Sequence, residues 1–242
     1  MKKVILLAFT VFLCSTLFAE KIIFSADSMS GQASNSSTYT LLDGHAYIKT
    51  ETMEISADKI ELTGEDYRII KAAGNVDGTN IESKMEFKCE TLEYDRETEV
   101  AILQGSVKLV DKENEVNANA QVIEYNQSTN IAVLQIDVSL TQKKNVCKGV
   151  YAVYQKDKQL LEISGNAEVR QDGDTFRAQQ ITLNLDTQDI TLSGNVKGSV
   201  TSTSKEEEKE SPKESPVESP KDLPKEMPGI NNTDKPEDMK KN

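Results

Sequence analysis

The sequence predicts an all-β protein built from about six two-strand repeats of roughly 30 residues, folded into a jellyroll-like trough. Three observations predict it. Residues 20–198 contain no proline, as a run of strands requires, because proline has no backbone N–H for the ladder. A glycine, a polar residue and then Val or Ala recur inside strand-like runs: LLDGHAYIK, KAAGNVDG, LQGSVKL, EISGNAEV and TLSGNVKG. A second mark, a small residue in SADSMSG, SADKIEL, KCETLEY, NAQVIEY, KGVYAVY and RAQQITL, keeps the same period.

The first mark falls at Gly44, Gly74, Gly105, Gly165 and Gly194. Aligning ILQGSVKL with VLQIDVSL places Ile136 in the gap, and the spacings become 30, 31, 31, 29 and 29. The second mark falls at Ala26, Ala57, Cys89, Ala120, Gly149 and Ala178, with spacings of 31, 32, 31, 29 and 29. Two marks with one period indicate an array of supersecondary units. Between the strands lie LTGEDY, YDRET, YNQST and LDTQD, rich in residues that cap their own backbone in turns. The expected product is a continuous antiparallel run of roughly a dozen strands.

The phase of the alternation gives the shape. In the glycine strands the apolar residues keep one parity, as in Ile70, Ala72, Gly74 and Val76, so the glycine is expected on the apolar face. In the alanine strands the parity switches: Met53, Ile55 and Ala57 give way to Ile60 and Leu62. An extra residue repeated at one place is the signature of a bulge, here assigned to the alanine strands. An aligned column of bulges would bend long strands into two facing walls with an apolar interior.

The chain ends differ from this body. Residues 1–19, MKKVILLAFTVFLCSTLFA, read as a secretory signal with Lys2 and Lys3 ahead of an apolar run and Ala19 at the cleavage point. Leu13 before Cys14 argues against a lipoprotein box. The apolar run is shorter than the ~20 residues a spanning helix needs, though a retained anchor is the rival to cleavage. Residues 199–242 hold all six prolines and very few apolar residues, so they are expected to be disordered. A spaced proline pattern, ESPKESPVESPKDLP, favours extended polyproline II, either as a solvated spacer or as a docking arm.

Composition excludes several functions. The formal charge is −12 and no basic stripe interleaves with aromatics, so no nucleic-acid surface is expected. His45 is the only histidine, and no CxxC pair is present, so neither a zinc site nor a His-activated nucleophile is expected. No GxSxG or phosphate loop occurs, so the chain reads as neither an enzyme nor a cofactor carrier. Asp27 and Asp58 lack a calcium-loop context and read as turn or strand-edge acids. Cys89 and Cys147 remain after the leader; they allow one disulfide, but nothing in the sequence brings them together, and they read as two buried free thiols.

Ser56-Ala57-Asp58-Lys59-Ile60 with Gly74-Asn75-Val76, and then Gly165-Asn166-Ala167 with Gly194-Asn195-Val196, resemble the OstA-like β-jellyroll family. That family includes LptA, the domain of LptC and the N-terminal part of LptD, and the resemblance covers about residues 24–198. It implies a V-shaped jellyroll whose interior holds lipid acyl chains. It also implies end-to-end assembly into a periplasmic bridge carrying lipopolysaccharide or a similar glycolipid from inner to outer membrane. The implied partners are that lipid, LptC-like and LptD-like jellyrolls, and further copies of the chain. The first copy, Ala26 to Gly31, and the Ile136 copy depart from the motif, and the tail follows the last repeat.

An acyl chain of ~12 methylenes costs on the order of 10 kcal/mol to expose to water, so such a carrier needs an apolar lining. The larger same-phase residues are the candidates: Met53, Ile55, Ile70, Met85, Phe87, Leu103, Ile123, Leu134, Leu161, Phe176, Ile181 and Leu192. A closed, filled core has the same pattern. The segments Tyr39–Ile48 and Ile181–Val196 are the expected docking edges, because open sheet ends leave backbone groups unpaired. An anchored, LptC-like component and an exported structural β-array with a filled core are the alternatives.

Overall fold

The structure is a computed structural model that describes residues 21–34 and 37–201. The expected leader, 1–19, lies outside these residues, as does nearly all of the expected tail. Fourteen strands form one antiparallel sheet: β1 (Ile23–Ser25), β2 (Ser28–Ser34), β3 (Ser37–Lys49), β4 (Met53–Thr63), β5 (Ile69–Asn80), β6 (Met85–Asp95) and β7 (Val100–Asp111) lead. They are followed by β8 (Val116–Asn126), β9 (Ile131–Gln142), β10 (Asn145–Gln155), β11 (Leu160–Gln171), β12 (Asp174–Asn184), β13 (Ile190–Ser193) and β14 (Lys197–Ser199). From β3 to β13 each strand pairs with the next in sequence. The two walls are therefore halves of one bent sheet rather than separate sheets. Its ends are split: β1 and β2 both pair with β3, while β13 and β14 both pair with β12.

The bend is a column of bulges, but the extra residue sits on the other strand from the one its parity suggests. Asp43 pairs with Lys59 and Ala46 with Ala57, so Gly44 and His45 oppose only Asp58. The same two-for-one count recurs at Gly74-Asn75 opposite Glu90, Gly105-Ser106 opposite Gln121, Ile136-Asp137 opposite Val150, and Gly165-Asn166 opposite Gln179. In every case both residues have positive φ, from 45° at His45 and Ser106 to 82° at Gly105. Two left-handed residues in succession turn the strand, and glycine followed by Asn, His or Asp tolerates this best.

The glycines also do not face the apolar side. A Cβ on Gly74 would lie 2.3 Å from Asp58 Oδ2, and one on Gly44 would lie 2.5 Å from Asp27 Oδ2. Gly105 and Gly194 are covered in the same way by Glu90 and Gln179. The glycine is required by φ and by the side chain of the neighbouring alanine strand lying across it, which is polar at these four corners and is Val150 at Gly165. The inward positions on either side, such as Ala72 and Val76, are four apart and keep their parity. That is why sequence parity alone counted the glycine among them.

The turns behave as their composition predicts. Asp95 Oδ1 accepts the Glu97 and Thr98 N–H groups, Asn126 Oδ1 accepts that of Thr129, and Asn184 Oδ1 accepts those of Asp186 and Thr187. The degenerate first copy still forms β2. The start edge is consequently β1 with β2, and Tyr39–Ile48 lies in β3, paired on both sides. At the other end, β14 runs to Ser199, one residue into the expected tail.

Candidate functional site

Each strand from β3 to β12 crosses the bulge column, so its two halves belong to two walls with a shared interior. One rim is formed by the turns around residues 50–52, 81–84, 112–115, 143–144 and 172–173. The other is formed by the turns around 64–68, 96–99, 127–130, 156–159 and 185–189. All twelve residues expected to line the interior lie in inward phase. Met53, Ile55, Ile70, Met85, Phe87, Leu103, Ile123, Leu134, Leu161 and Ile181 are buried. Phe176 and Leu192, near the C-terminal end of the sheet, are half-buried. Phe87 packs its ring over Gly78, where a Cβ would lie 2.2 Å from the ring edge.

The apolar seam runs on to both ends of the sheet. Phe24 pairs with Ile48 and Met29 with Leu42, so both continue the inner face, yet both are exposed. Leu192 pairs with Ile181 and continues it at the other end. Cys89 and Cys147 are free and buried in the same core. Burial pushes the Cys89 thiol up to about 11 and the Cys147 thiol up to about 12.

The long side of the interior, where the rims meet, is polar. Asn80, Asp111 and Gln142 occupy the last inward position of β5, β7 and β9 and are buried. Asn80 Nδ2 donates to Gln127 Oε1 of the opposite rim at 2.8 Å, and Gln127 Nε2 donates to Glu82 at 2.9 Å. Further along, Asn145 Nδ2 donates to Gln188 Oε1 at 2.7 Å. Between these two rungs Lys156 reaches across to Asp111, 3.5 Å away, and to Glu113. Desolvation works against the Lys156 ammonium, but its bond to Glu113 and the charge of Asp111 outweigh it, so its pKa is raised.

Asp111 is fully engaged: its carboxylate also accepts the Glu113 and Asn114 N–H groups, the Asn114 side-chain amide and the Tyr154 hydroxyl. Burial and the adjacent Asp111 charge push the Tyr154 phenol well above its ordinary value. This polar closure was missed in the sequence. Its signal was present: Asn80, Asp111 and Gln142 are spaced 31 and 31, as Gly74, Gly105 and Ile136 are. Residues beside turns read as solvated by default, which hides this period.

The acids at the bend have structural partners. Asp27 Oδ2 lies 2.8 Å from His45 Nδ1, and Asp58 accepts Asn75 Nδ2 at 3.0 Å. On the outer face, a depression over Ala73 is lined by Lys59, Lys71, Thr91, Glu93 and Ile102, with both signs of charge. Among the described residues no helix is long and apolar enough to cross a membrane.

The molecule is thus a single meander of bulged two-strand repeats enclosing one apolar seam. A model of the LptA/(LptD N-terminal domain) LPS transport protein family matches residues 25–159 and 91–189. The chain belongs to this family. The matched span includes five of the six glycine-position marks and the whole of the polar closure. No curated protein matches significantly. Among solved structures, LptH from Pseudomonas aeruginosa, described as the LptA-homologous periplasmic component of a lipopolysaccharide transport device, is 11% identical. The match spans 76% of this chain and 96% of that one, with a TM-score of 0.23. For the LptA/LptD N-terminal family the stated role is lipopolysaccharide transport, which is binding and carriage rather than catalysis.

Proposed function

We propose that this chain is a periplasmic bridge component that carries lipopolysaccharide or a similar glycolipid, its acyl chains held between the two walls. The observation that carries the reading is the apolar seam, continuous from Phe24 and Met29 at one end to Leu192 at the other. Both ends also present short edge strands whose backbone has no further partner among the described residues. Strand addition by a like domain at such ends would join one seam to the next. The partners are LptC-like and LptD-like jellyrolls and, head to tail, a second copy. Met53, Ile55, Ile70, Met85, Phe87, Leu103, Ile123, Leu134, Leu161, Phe176, Ile181 and Leu192 are the proposed lining. Because ten of them are buried in this state, carriage requires the walls to part along the polar rims.

The same burial favours a second reading, an exported structural array with a filled core. Photo-crosslinking in the native cell separates the two, with the probe at Phe87 and an outward control at Lys88. A lipid adduct at Phe87 alone supports carriage. A silent Phe87, with protein adducts on the terminal strands, favours the structural array. N-terminal sequencing of the mature protein separates a released component from an anchored, LptC-like one: retention of residues 1–19 would sink the released version.

A further inference from the structure

Lys156 is only 5% exposed, and both of its acidic partners come from the opposite rim. When the walls part, the three charges fare differently. Asp111 keeps the backbone N–H groups of Glu113 and Asn114 and the Asn114 amide, all from its own turn. Glu113 keeps Lys84, 3.3 Å away on the same rim. Lys156 leaves both carboxylates behind. An ammonium at an apolar slot without a counter-charge is costly, so whatever enters the slot is favoured if it brings an anion to that point.

Resting on the carriage reading above, we propose that Lys156 exchanges its two cross-rim carboxylates for the anionic head group of the entering amphiphile. The ligand class is an amphiphile whose acyl chain enters between the walls and whose phosphate or carboxylate stops at the second rim. Asp111 and Glu113 thus hold the closed state and leave the cation available only to a ligand that opens it. A neutral amphiphile must break the same ion pairs without replacing them. In a chain of net charge −12, this one residue gives selectivity for an anion that the overall field opposes.

The test is calorimetric titration of the mature protein with dodecyl phosphate and with dodecyl maltoside, each below its micellar concentration. Wild type is expected to bind the phosphate about tenfold or more tighter. Lys156→Gln should bring the two affinities within about twofold of each other, whereas Lys156→Arg keeps the preference. Lys156→Gln leaves Asp111 without its counter-ion, so Lys156→Gln/Asp111→Asn, which neutralises both sides, carries the same expectation if the single variant fails to fold. An unchanged preference in the neutral variants overturns the proposal, and so does equal binding of both probes by wild type, which would leave carriage standing. Binding of neither probe overturns carriage and the Lys156 role together. Inorganic phosphate cannot part the walls and should not displace dodecyl phosphate; displacement would reveal a free-anion site and overturn the exchange.

Discussion

Asp58 lies across Gly74 so closely that a Cβ there would meet its Oδ2 at 2.3 Å and its Cγ at 2.9 Å. This contact joins the small-residue strand of a repeat to the glycine strand that follows it. It recurs between Asp27 and Gly44, Glu90 and Gly105, and Gln179 and Gly194. The two periodic marks are therefore two halves of one corner.

Gly74→Ala is expected to destabilise the fold by about 2 kcal/mol, because the left-handed backbone at φ 79° and the overlap with Asp58 both oppose the methyl group. Adding Asp58→Ala should recover less than half of that, since the backbone penalty remains. A urea double-mutant cycle reads the two terms, and full recovery would show that crowding alone fixes the glycine.

Ile136 supplies the converse case. It occupies the glycine position of its repeat at φ 65° with a β-branched side chain that is half exposed. Ile136→Gly should stabilise the protein by about 1 kcal/mol, because it relieves left-handed strain and gives up little burial. A lower urea midpoint would mean that the exposed isoleucine makes contacts worth more than the strain.

Much of this was legible from the sequence. The absence of proline, the period and the alternation gave the meander, the turns and the inward phase of all twelve proposed lining residues. What failed was geometric. Parity counts residues, and it cannot see that two consecutive left-handed residues such as Gly74 and Asn75 turn the glycine toward Asp58 while restoring the phase at Val76. The polar closure at Asn80, Asp111 and Lys156 was hidden because a cross-rim partner lies more than forty residues away. An open trough and a filled core share one pattern, so the burial of Phe87 and Ile181 could only come from packing.

Asp95 gives a pH dependence. Arg68 binds its carboxylate through two nitrogens, at 2.9 and 2.7 Å, and holds it well below the usual carboxylate range. The folded pKa is lower than the unfolded one, so the stabilisation is present above about pH 4 and is lost as pH falls through the folded value. Asp95→Asn keeps an oxygen for the Glu97 and Thr98 N–H groups and should cost under about 1 kcal/mol near neutrality, since the pair is partly solvated. Its deficit should vanish in strong acid. Asp95→Ala also loses the turn acceptor, so about 1 kcal/mol should persist at every pH. An Asn deficit that did not shrink in acid would show that the ion pair contributes nothing.

The two thiols report on whether the walls part. Cys89 and Cys147 lie in the apolar interior, where burial keeps both protonated well above neutral pH. A disulfide-exchange reagent at about pH 8 should leave both almost unlabelled in the folded protein and label both in strong guanidinium, because attack needs an accessible thiolate. Cys147 is the more deeply buried, so it should be the slower of the two under native conditions. If an acyl ligand enters between the walls, adding dodecyl phosphate should change these labelling rates, with opening raising them and occupancy shielding them. Prompt labelling of both thiols in the free protein would show that the interior stands open without ligand. Rates that ignore the ligand, alongside measurable binding, would place the ligand outside the walls and remove Phe87 and Ile181 from its path.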